Sequence, residues 1–518
     1  MIKTDILVIG TGLAGSIASI VAADTGKKVT IITKTDSILG GNTASAQGGI
    51  IYKGIDDSPE KLIKDITIAG AGHCHQPAVE QLATLGPKLV EEILIDKFNI
   101  DFDKNKNELD LTAEGAHSLR RIIHCKDLTG KYIQEAIIKS LQTHPNITIL
   151  TNHIAVDLLT LAHHSKNSVD IYKHPACIGA IVFDIINENT FPIFAGKTII
   201  ATGGVGQLFL HTTNPTESTG DGLALASRAG VRCFNLEYIQ FHPTAFYSEY
   251  HSQTCFLISE SLRGEGAVLV DSNGNEFMNR FHKQGNLAPR DVVARSIHKI
   301  LFETNAPCVY LDIRHKNTEW LENRFPEIFR HCLIAGINIA KEPIPVIPAA
   351  HYFCGGIGVN LNGRTSFQRL YAVGEISCTG VHGANRLAST SLLEALVWGY
   401  TAGKDAAISK ENADYFPPIY DWVSEYETAD NMLIIQDWSS IKNTMWNYVG
   451  LFRSNIRLQR AIKMLSDLQI ETEKFYKRAK LSRQIIELRN GIESAIAITN
   501  SAITSHTSRG CHFIENTN

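Results

Sequence analysis

A glycine-rich segment close to the amino terminus has the residue types and spacing of a site for a phosphate-containing cofactor. It follows a short apolar run, residues 6–9, and precedes an apolar stretch, residues 16–23, that is compatible with a helix. In such a strand–turn–helix unit, glycines allow a tight turn, close approach of the backbone to a pyrophosphate, and close packing of helix on strand. A plain glycine turn is the alternative. The flanking runs favour a dinucleotide site on Gly10, Thr11, Gly12, Leu13, Ala14 and Gly15.

Three cationic or hydrogen-bonding side chains farther along the chain are suited to binding carboxylates. The guanidinium of Arg386 can hold a carboxylate through two parallel hydrogen bonds, and His242 and His351 can donate to carboxylate oxygens. Each has a structural alternative, an ion pair for the arginine and a core position for the histidines. Only together with the cofactor motifs is a substrate-binding role favoured over a structural one for these three residues.

A second segment dense in small residues lies at residues 40–50. Such residues cannot fill a core, but they let the backbone approach a flat ligand and offer N–H donors to it. A flexible loop is the alternative. The strand before it, residues 28–33, ends at Thr33 and Lys34, where many dinucleotide folds place an acid that holds the ribose, so a plain NAD dehydrogenase is disfavoured. The predicted contacts in the segment are Asn42, Thr43, Ala44, Ser45, Ala46, Gln47, Gly48 and Gly49.

Later strand-to-glycine transitions are expected to contribute to the same cofactor site. One runs through residues 197–204 and another through residues 370–375, which ends at Glu375. A third close-approach point, residues 219–222, contains Asp221 and precedes an alanine-rich helix. A carboxylate that ends a strand can accept hydrogen bonds from sugar hydroxyls.

Composition limits the class of protein. The 518 residues suggest about two to four domains. The net charge of −4, without a basic run, argues against nucleic acid as a partner. The ten scattered cysteines form no CxxC pair, so we expect no metal site and a reduced, cytoplasmic setting. His73-Cys74-His75 lacks further ligands and is interpreted as a loop before a helix, which apolar periodicity predicts at residues 77–95. We expect no signal peptide and no membrane span.

The pattern along the chain predicts an interrupted domain. Glycine-rich segments dominate residues 1–235, histidine, arginine and glutamate motifs dominate 236–351, and cofactor-like sequence returns at 352–415. Residues 416–518 have helical periodicity, which predicts a bundle. One predicted helical face contains Ile441, Met445, Tyr448, Val449, Phe452 and Ile456. A second contains Ile485, Leu488, Ile492 and Ile496.

With these motifs in order, the chain resembles the succinate dehydrogenase and fumarate reductase flavoprotein family, and within it the L-aspartate oxidase branch. The resemblance extends from the first strand to Ser508-Arg509-Gly510. It implies an α/β fold with a Rossmann-like FAD-binding domain (residues 1–235 and 352–415), an inserted α+β capping domain (236–351) and a C-terminal helical bundle (416–518).

Three features favour the oxidase branch. Asn42 stands where the dehydrogenases carry the histidine that binds FAD covalently, which implies non-covalent FAD. The loop from Glu114 to Ser118, and Cys354 where dehydrogenases typically have methionine, follow the oxidase pattern. The alternatives are a flavoprotein subunit of a succinate dehydrogenase or fumarate reductase, and a non-catalytic flavin-binding scaffold.

The resemblance implies oxidation of L-aspartate to iminoaspartate, with oxygen (giving hydrogen peroxide) or fumarate as the electron acceptor. This reaction opens de novo NAD biosynthesis towards quinolinate, so quinolinate synthase is the implied pathway neighbour. No membrane or nucleic-acid partner is implied.

The resemblance also assigns roles to residues. Arg290 matches the acid/base arginine, with Glu260 and Arg263 as its proton relay. Glu114 is expected to hold the substrate ammonium. The remaining substrate contacts are His242, Thr244, Ser259, His351 and Arg386. FAD contacts, beyond the two small-residue segments, are Lys34, Asp221, Glu375, Ser391 and Leu392.

Overall fold

The computed structural model describes residues 2–249, 254–409, 414–420 and 429–515; residue 1 and parts of the predicted ranges 236–351, 352–415 and 416–518 lie outside them. Up to residue 235, the strands are β1 (Ile2–Ile9), β2 (Val29–Ile32), β3 (Ile50–Ile51), β4 (Lys104–Asn105), β5 (Glu108–Leu109), β6 (Ile122–Ile123), β7 (Ile147–Leu150), β8 (His153–Thr160), β9 (Cys177–Asp184), β10 (Asn189–Ile200) and β11 (Cys233–Phe234). The helices are α1 (Leu13–Ala23), α2 (Pro59–Ala69), α3 (Gln76–Leu89), α4 (Thr129–Thr143), α5 (Leu161–His164) and α6 (Asp221–Ala229).

The middle of the chain contains β12 (Ile239–Phe246), β13 (Val268–Val270), β14 (Val309–Asp312), β15 (Ile344–Phe353), α7 (Ser261–Gly264), α8 (Arg290–Thr304), α9 (Thr318–Arg324) and α10 (Pro326–Ile334). The last part contains β16 (Gly356–Gly358), β17 (Leu370–Ala372), β18 (Ser377–Cys378), α11 (Ser391–Ile408), α12 (Asn431–Val449), α13 (Asn455–Arg478) and α14 (Arg483–Thr504). Short 3₁₀ turns occupy Ser168–Tyr172, Gly206–Leu208, Met278–Arg280, Gly285–Leu287 and Gly374–Ile376.

A seven-stranded sheet carries the glycine motif at the end of β1. Its order is β7-β2-β1-β10-β9-β8, with β17 also paired to β10. β1 is parallel to both β2 and β10, whereas β9 and β8 are antiparallel additions beyond β10. Apolar cores cover both faces of this sheet. Ligands of such sheets bind outside the carboxyl ends of the parallel strands, which is where the glycine motif lies.

The inserted segment builds a separate antiparallel sheet, β12-β15-β14-β13, with its own apolar core. β12 and β15 are direct neighbours, and their register shifts between His242 and Ala245. Bulges of this kind redirect side chains and are common beside active sites. This pairing places His242 on β12 close to His351 on β15.

Two predictions of local structure need correction. The predicted helix at residues 77–95 is α-helical only through Leu89 and continues as a π-helix over Val90–Lys97; Pro87, which has no N–H to donate, lies just before the change. The single helical face predicted through Phe452 and Ile456 is wrong, because α12 ends at Val449 and Gly450 follows it.

After that break a new helix begins and redirects the chain. The side chain of Ser454 accepts a hydrogen bond from the N–H of Arg457 and caps α13. Ile456, on α13, is 69% exposed and does not belong to the core face. The second predicted face is correct in α14, where Ile485, Leu488 and Ile492 are buried.

Within the described ranges, no group of three His, Cys, Asp or Glu side chains is arranged to hold a metal ion. A search of the same ranges finds no helix with the length and apolar character needed to cross a membrane.

Candidate active site

A cleft at the carboxyl ends of β1, β2 and β10 extends from the glycine motif to the inserted sheet. It contains about 1690 Å³ of space between atoms, the part open to solvent included. Its walls include both predicted small-residue segments and residues from β12, α8 and β15. The structure therefore brings the predicted cofactor and substrate residues to one cleft. Four predicted residues lie behind its lining, namely Gly15, Ala44, Thr244 and Arg263.

The glycine motif forms a turn that other residues could not adopt without a clash. Gly10 has φ +114°, and a side chain there would collide with the carbonyl of Ala201. A side chain at Gly15 would collide with the carbonyl of Gly10, which explains the close packing of α1 on β1. Gly12, at the start of α1, has no side chain that could cap the helix, and the N–H of Leu13 donates to Thr43 Oγ1 at 3.1 Å, so the first turn borders both the cleft and the second small-residue segment.

Arg386 presents a buried positive charge to the cleft. Its Nη1 donates to Ser391 Oγ at 3.0 Å, whereas its buried Nε has no hydrogen-bond partner among the described residues. Burial lowers the pKa of Arg386 to about 10, and the nearby charge of Arg290 acts in the same direction. The guanidinium is therefore still protonated at neutral pH, and no carboxylate of the described residues lies within hydrogen-bond distance of it.

His242 and His351 form a pair with ring centroids 5.0 Å apart. His242 Nδ1 accepts from the backbone N–H of Thr244 at 3.2 Å, which leaves the proton of the neutral ring on Nε2. His351 Nδ1 lies 2.8 Å from Thr213 Oγ1. Burial, followed by nearby arginine charges, lowers the pKa of both histidines well below the usual value. Both are therefore neutral hydrogen-bonding groups at pH 7.

Glu114 presents a buried carboxylate to the same cleft. It accepts from Ser389 Oγ at 2.6 Å and from Ser261 Oγ at 3.1 Å. A Cβ atom added at Gly48 would lie 3.0 Å from its Oε1, so the carboxylate touches the cofactor segment. In the part of the chain that the structure describes, its side-chain partners are hydroxyls and not cations.

Arg290, Glu260 and Arg263 form a buried chain of alternating charges. Arg290 Nε donates to Glu260 Oε2 at 2.5 Å, and Arg263 Nη2 lies 2.8 Å from Glu260 Oε1. Burial alone would raise the pKa of Glu260, but the two arginines outweigh it and hold that pKa below the usual value. Arg263 Nη1 donates onward to the carbonyl of the half-buried Asn286 at 2.6 Å.

Asn42 and Glu375 join the cofactor segment to the end of β17. Asn42 Nδ2 donates to Glu375 Oε2 at 2.6 Å, and the N–H of Phe353 donates to Glu375 Oε1 at 3.0 Å. Burial raises the pKa of Glu375 to about 7. This carboxyl group is therefore fixed in orientation on the cleft wall.

Comparison with known proteins assigns the chain to a family. The FAD binding domain model matches residues 5–392, and the fumarate reductase flavoprotein C-term model matches residues 438–518. L-aspartate oxidase 1 of Ralstonia nicotianae is 41% identical over 515 residues, covering 98% of this chain and 94% of the relative. L-aspartate oxidase of Yersinia pestis is 40% identical over 518 residues, covering 98% and 95%. The chain belongs to the L-aspartate oxidase family.

Solved structures with the same architecture come from a wider group. Quinol-fumarate reductase with menaquinol molecules gives a TM-score of 0.87 at 26% identity, covering 100% of this chain and 93% of that chain. Mycobacterium smegmatis Sdh1 gives 0.81 at 27% identity, covering 99% and 89%. These likenesses confirm the predicted fold class for this member of the L-aspartate oxidase family: a Rossmann-like FAD-binding sheet, a capping domain and C-terminal helices.

FAD is the cofactor of the L-aspartate oxidase family, and the residues of the cleft fit it. The turn at Gly10 and the start of α1, which has no side chain at Gly12, fit a pyrophosphate. Gln47 Oε1 is buried on the cleft wall and has no partner in the described part of the chain. The carboxyl group of Glu375 and the start of α11, at Ser391 and Leu392, line the same cleft.

Three residues that support the site are not among those predicted from the sequence. Thr213 supports His351, Ser389 donates to Glu114, and the ring of Tyr352 lies 4.4 Å from the guanidinium carbon of Arg386. Ser389 also has φ +57°, which is rare for a non-glycine residue. Because Tyr352 directly follows His351, its position in the sequence could have indicated a role in the site. No sequence pattern indicates such a role for Thr213.

Proposed function

We propose that this protein oxidises L-aspartate to iminoaspartate with FAD. The observation that carries the proposal is a pair of opposite charges in one cleft, the guanidinium of Arg386 and the carboxylate of Glu114, neither of which has an ion-pair partner within 4 Å among the described residues. An amino dicarboxylate offers the complementary pair, a carboxylate for the arginine and an ammonium for the glutamate. Succinate, which lacks the amine, would leave Glu114 without a cation.

Arg386 is proposed to bind a substrate carboxylate with its free Nε and its Nη groups, because the guanidinium fork matches a carboxylate. His242 and His351 donate neutral hydrogen bonds to carboxylate oxygens. Thr244 acts through His242, since its N–H fixes the ring tautomer, and Ser259 lines the cleft beside them.

FAD, when bound, supplies the two-electron oxidation of the Cα–N bond. The chain's own residues manage the proton. Arg290 borders the cleft, and Glu260 and Arg263 connect it to Asn286 near the surface of the cap. A guanidinium holds its proton up to about pH 12 in water, so this path delivers a proton to fumarate more readily than it removes one from aspartate.

The finer assignments belong to the same proposal. Oxygen, giving hydrogen peroxide, or fumarate accepts the electrons, and the product feeds NAD biosynthesis with quinolinate synthase as the next enzyme. FAD is held non-covalently, because Asn42 is an amide engaged with Glu375 and offers no histidine nitrogen for a bond to the flavin. Domain boundaries are proposed at residues 235/236, 351/352 and 415/416, and the separate core of the inserted segment supports the first two.

Anaerobic addition of L-aspartate or succinate to the purified yellow protein tests the activity. We expect L-aspartate alone to abolish the visible flavin absorbance, and air to restore it with formation of peroxide. Loss of colour with succinate alone would assign the protein to the dehydrogenases, and no change with either would contradict the substrate assignment. Acid precipitation should leave all flavin in the supernatant; flavin retained in the pellet would contradict non-covalent binding.

A further inference from the structure

One face of the C-terminal helix α14 reaches the cofactor cleft. Four polar residues recur along it at intervals of three or four positions, which places them on one side of the helix. Each contacts the wall formed by the end of β2 and the start of α6. These residues are Arg483, Glu487, Asn490 and Ser494.

Their contacts converge on Lys34 and Asp221. Glu487 Oε1 lies 2.7 Å from Lys34 Nζ, and Asn490 Nδ2 donates to Asp221 Oδ1 at 2.9 Å. Lys34 Nζ in turn lies 2.6 Å from Asp221 Oδ2. The lysine side chain is only 11% exposed, so this ion cluster is largely shielded from solvent. The α14 side chains therefore fix both residues.

The turn before α6 is shaped to receive α14. Gly220 has φ +86°, and a Cβ atom there would press against the side chain of Ser494. Ser494 Oγ donates to the carbonyl of Gly220 at 2.8 Å. The backbone that presents Asp221 is therefore seated directly on the C-terminal helix.

Lys34 occupies the position at which dinucleotide folds usually carry a ribose-binding acid at the end of β2. Asp221 reaches this place from a distant part of the chain and is held there by Lys34 and Asn490. Each carboxylate oxygen has about two acceptor sites, so both oxygens of Asp221 retain capacity for sugar hydroxyls. The missing acid of β2 is thus supplied from α6.

We propose that Glu487 and Asn490 are positioning residues for the adenosine half of FAD, acting through Lys34 and Asp221. The C-terminal helix then contributes to cofactor affinity without touching the flavin ring. The inference rests on FAD binding and is independent of the identity of the oxidised substrate.

Calorimetric titration of the flavin-free protein with FAD, ADP and FMN tests this arrangement. Glu487→Asp keeps the charge and shortens the reach, and Asn490→Leu keeps the shape and removes the donor. A net hydrogen bond contributes about 0.5–1.5 kcal/mol, so each change should raise the Kd of FAD about twofold to tenfold. The Kd of ADP should rise in parallel. FMN, which lacks the adenosine half, should keep its Kd within about twofold.

Glu473→Asp is the matched control, because Glu473 on α13 pairs with Arg489 on α14 at 2.7 Å and, in the described part of the chain, forms no hydrogen bond or ion pair with Lys34 or Asp221. It shortens an ion-pairing glutamate in the same bundle and should leave the three Kd values unchanged. The proposal is wrong if FMN affinity falls together with FAD affinity, or if Glu473→Asp weakens FAD as much as Glu487→Asp does. Wild-type protein that binds ADP but oxidises no aspartate would contradict the proposed activity alone.

Discussion

The guanidinium carbon of Arg386 lies 4.4 Å from the ring centroid of Tyr352. The tyrosine is itself fixed, because its hydroxyl donates to the buried Glu394 at 2.8 Å, and His382 Nε2 lies 2.9 Å from the same carboxylate oxygen. Contact with an aromatic face orients a cation without neutralising its charge. The aromatic ring thus holds Arg386 ready for a carboxylate without neutralising it.

Replacing Tyr352 should weaken the binding of aspartate. A cation–π contact contributes about 0.5–2 kcal/mol, so Tyr352→Leu should raise the KM for L-aspartate about twofold to thirtyfold. Tyr352→Phe keeps the ring and should stay within about threefold of wild type. Steady-state oxidation assays of both variants measure this. Equal KM values for the two variants would show that the ring does not orient Arg386.

Glu114→Gln should separate the two directions of the reaction. The neutral amide cannot pair with an ammonium, and a hydrogen bond between charged groups contributes about 1.5–3 kcal/mol. The KM for L-aspartate should therefore rise about tenfold or more, whereas the KM for fumarate, which has no amine, should change far less. Assays of aspartate oxidation and fumarate reduction on one preparation make the comparison. Equal losses in both directions would remove the proposed ammonium contact.

His512 should make the folded protein sensitive to acid. Burial, and secondly the charge of Arg453, lower the pKa of His512 to about 4. Its Nδ1 accepts from Arg453 Nη1 at 2.6 Å, and its Nε2 donates to the carbonyl of Ser505 at 3.0 Å, so no nitrogen is free for a second proton. Since the unfolded pKa is near 6.5, protonation favours the unfolded chain. Stability is complete above about pH 6.5 and is lost as the pH falls towards 4.

Denaturant unfolding between pH 7 and pH 5 measures the effect of His512. The wild-type protein should lose about 2 kcal/mol from this residue over that range, and His512→Gln should lack this part of the slope. His506→Gln changes an exposed histidine of the same tail and should keep the wild-type slope. Identical slopes for wild type and His512→Gln would contradict the assignment.

The parts of the molecule that the sequence could predict are those with local causes. The glycine turn at Gly10 directly precedes the helix that it serves. The family motifs around Arg290 and Arg386 are contiguous stretches of sequence, so the sequence alone predicts these residues. The helical face of α14 was predicted because its apolar residues recur within one helix. Apolar periodicity alone could not locate the break at Gly450, since Phe452 and Ile456 continue the same spacing on either side of it.

Contacts between distant segments were beyond sequence reasoning. Thr213 and His351 are separated by 138 positions, and Glu114 and Ser389 by 275. The first pair joins the cofactor domain to the last strand of the cap, and the second joins the two segments of the cofactor domain, so neither is visible in the local sequence. The same holds for Glu487 and Lys34, whose contact depends on how the C-terminal bundle docks.

Glu260→Gln should disable proton transfer while leaving substrate binding nearly intact. The amide oxygen can still accept a hydrogen bond from Arg290, but the side chain no longer pairs with both arginines and cannot carry a proton between Arg290 and Arg263. Loss of acid–base assistance costs about 10²–10⁴ in rate, so kcat should fall at least about a hundredfold for both aspartate oxidation and fumarate reduction. The Kd of succinate, measured by its perturbation of the flavin spectrum, should remain within about threefold of wild type. Glu265→Gln, at the other end of α7 and 3.9 Å from the guanidinium of Arg120, is the control and should keep the wild-type kcat. If succinate binding and kcat fell together, Glu260 would be holding the shape of the cleft, and the path through Arg263 would lose its support.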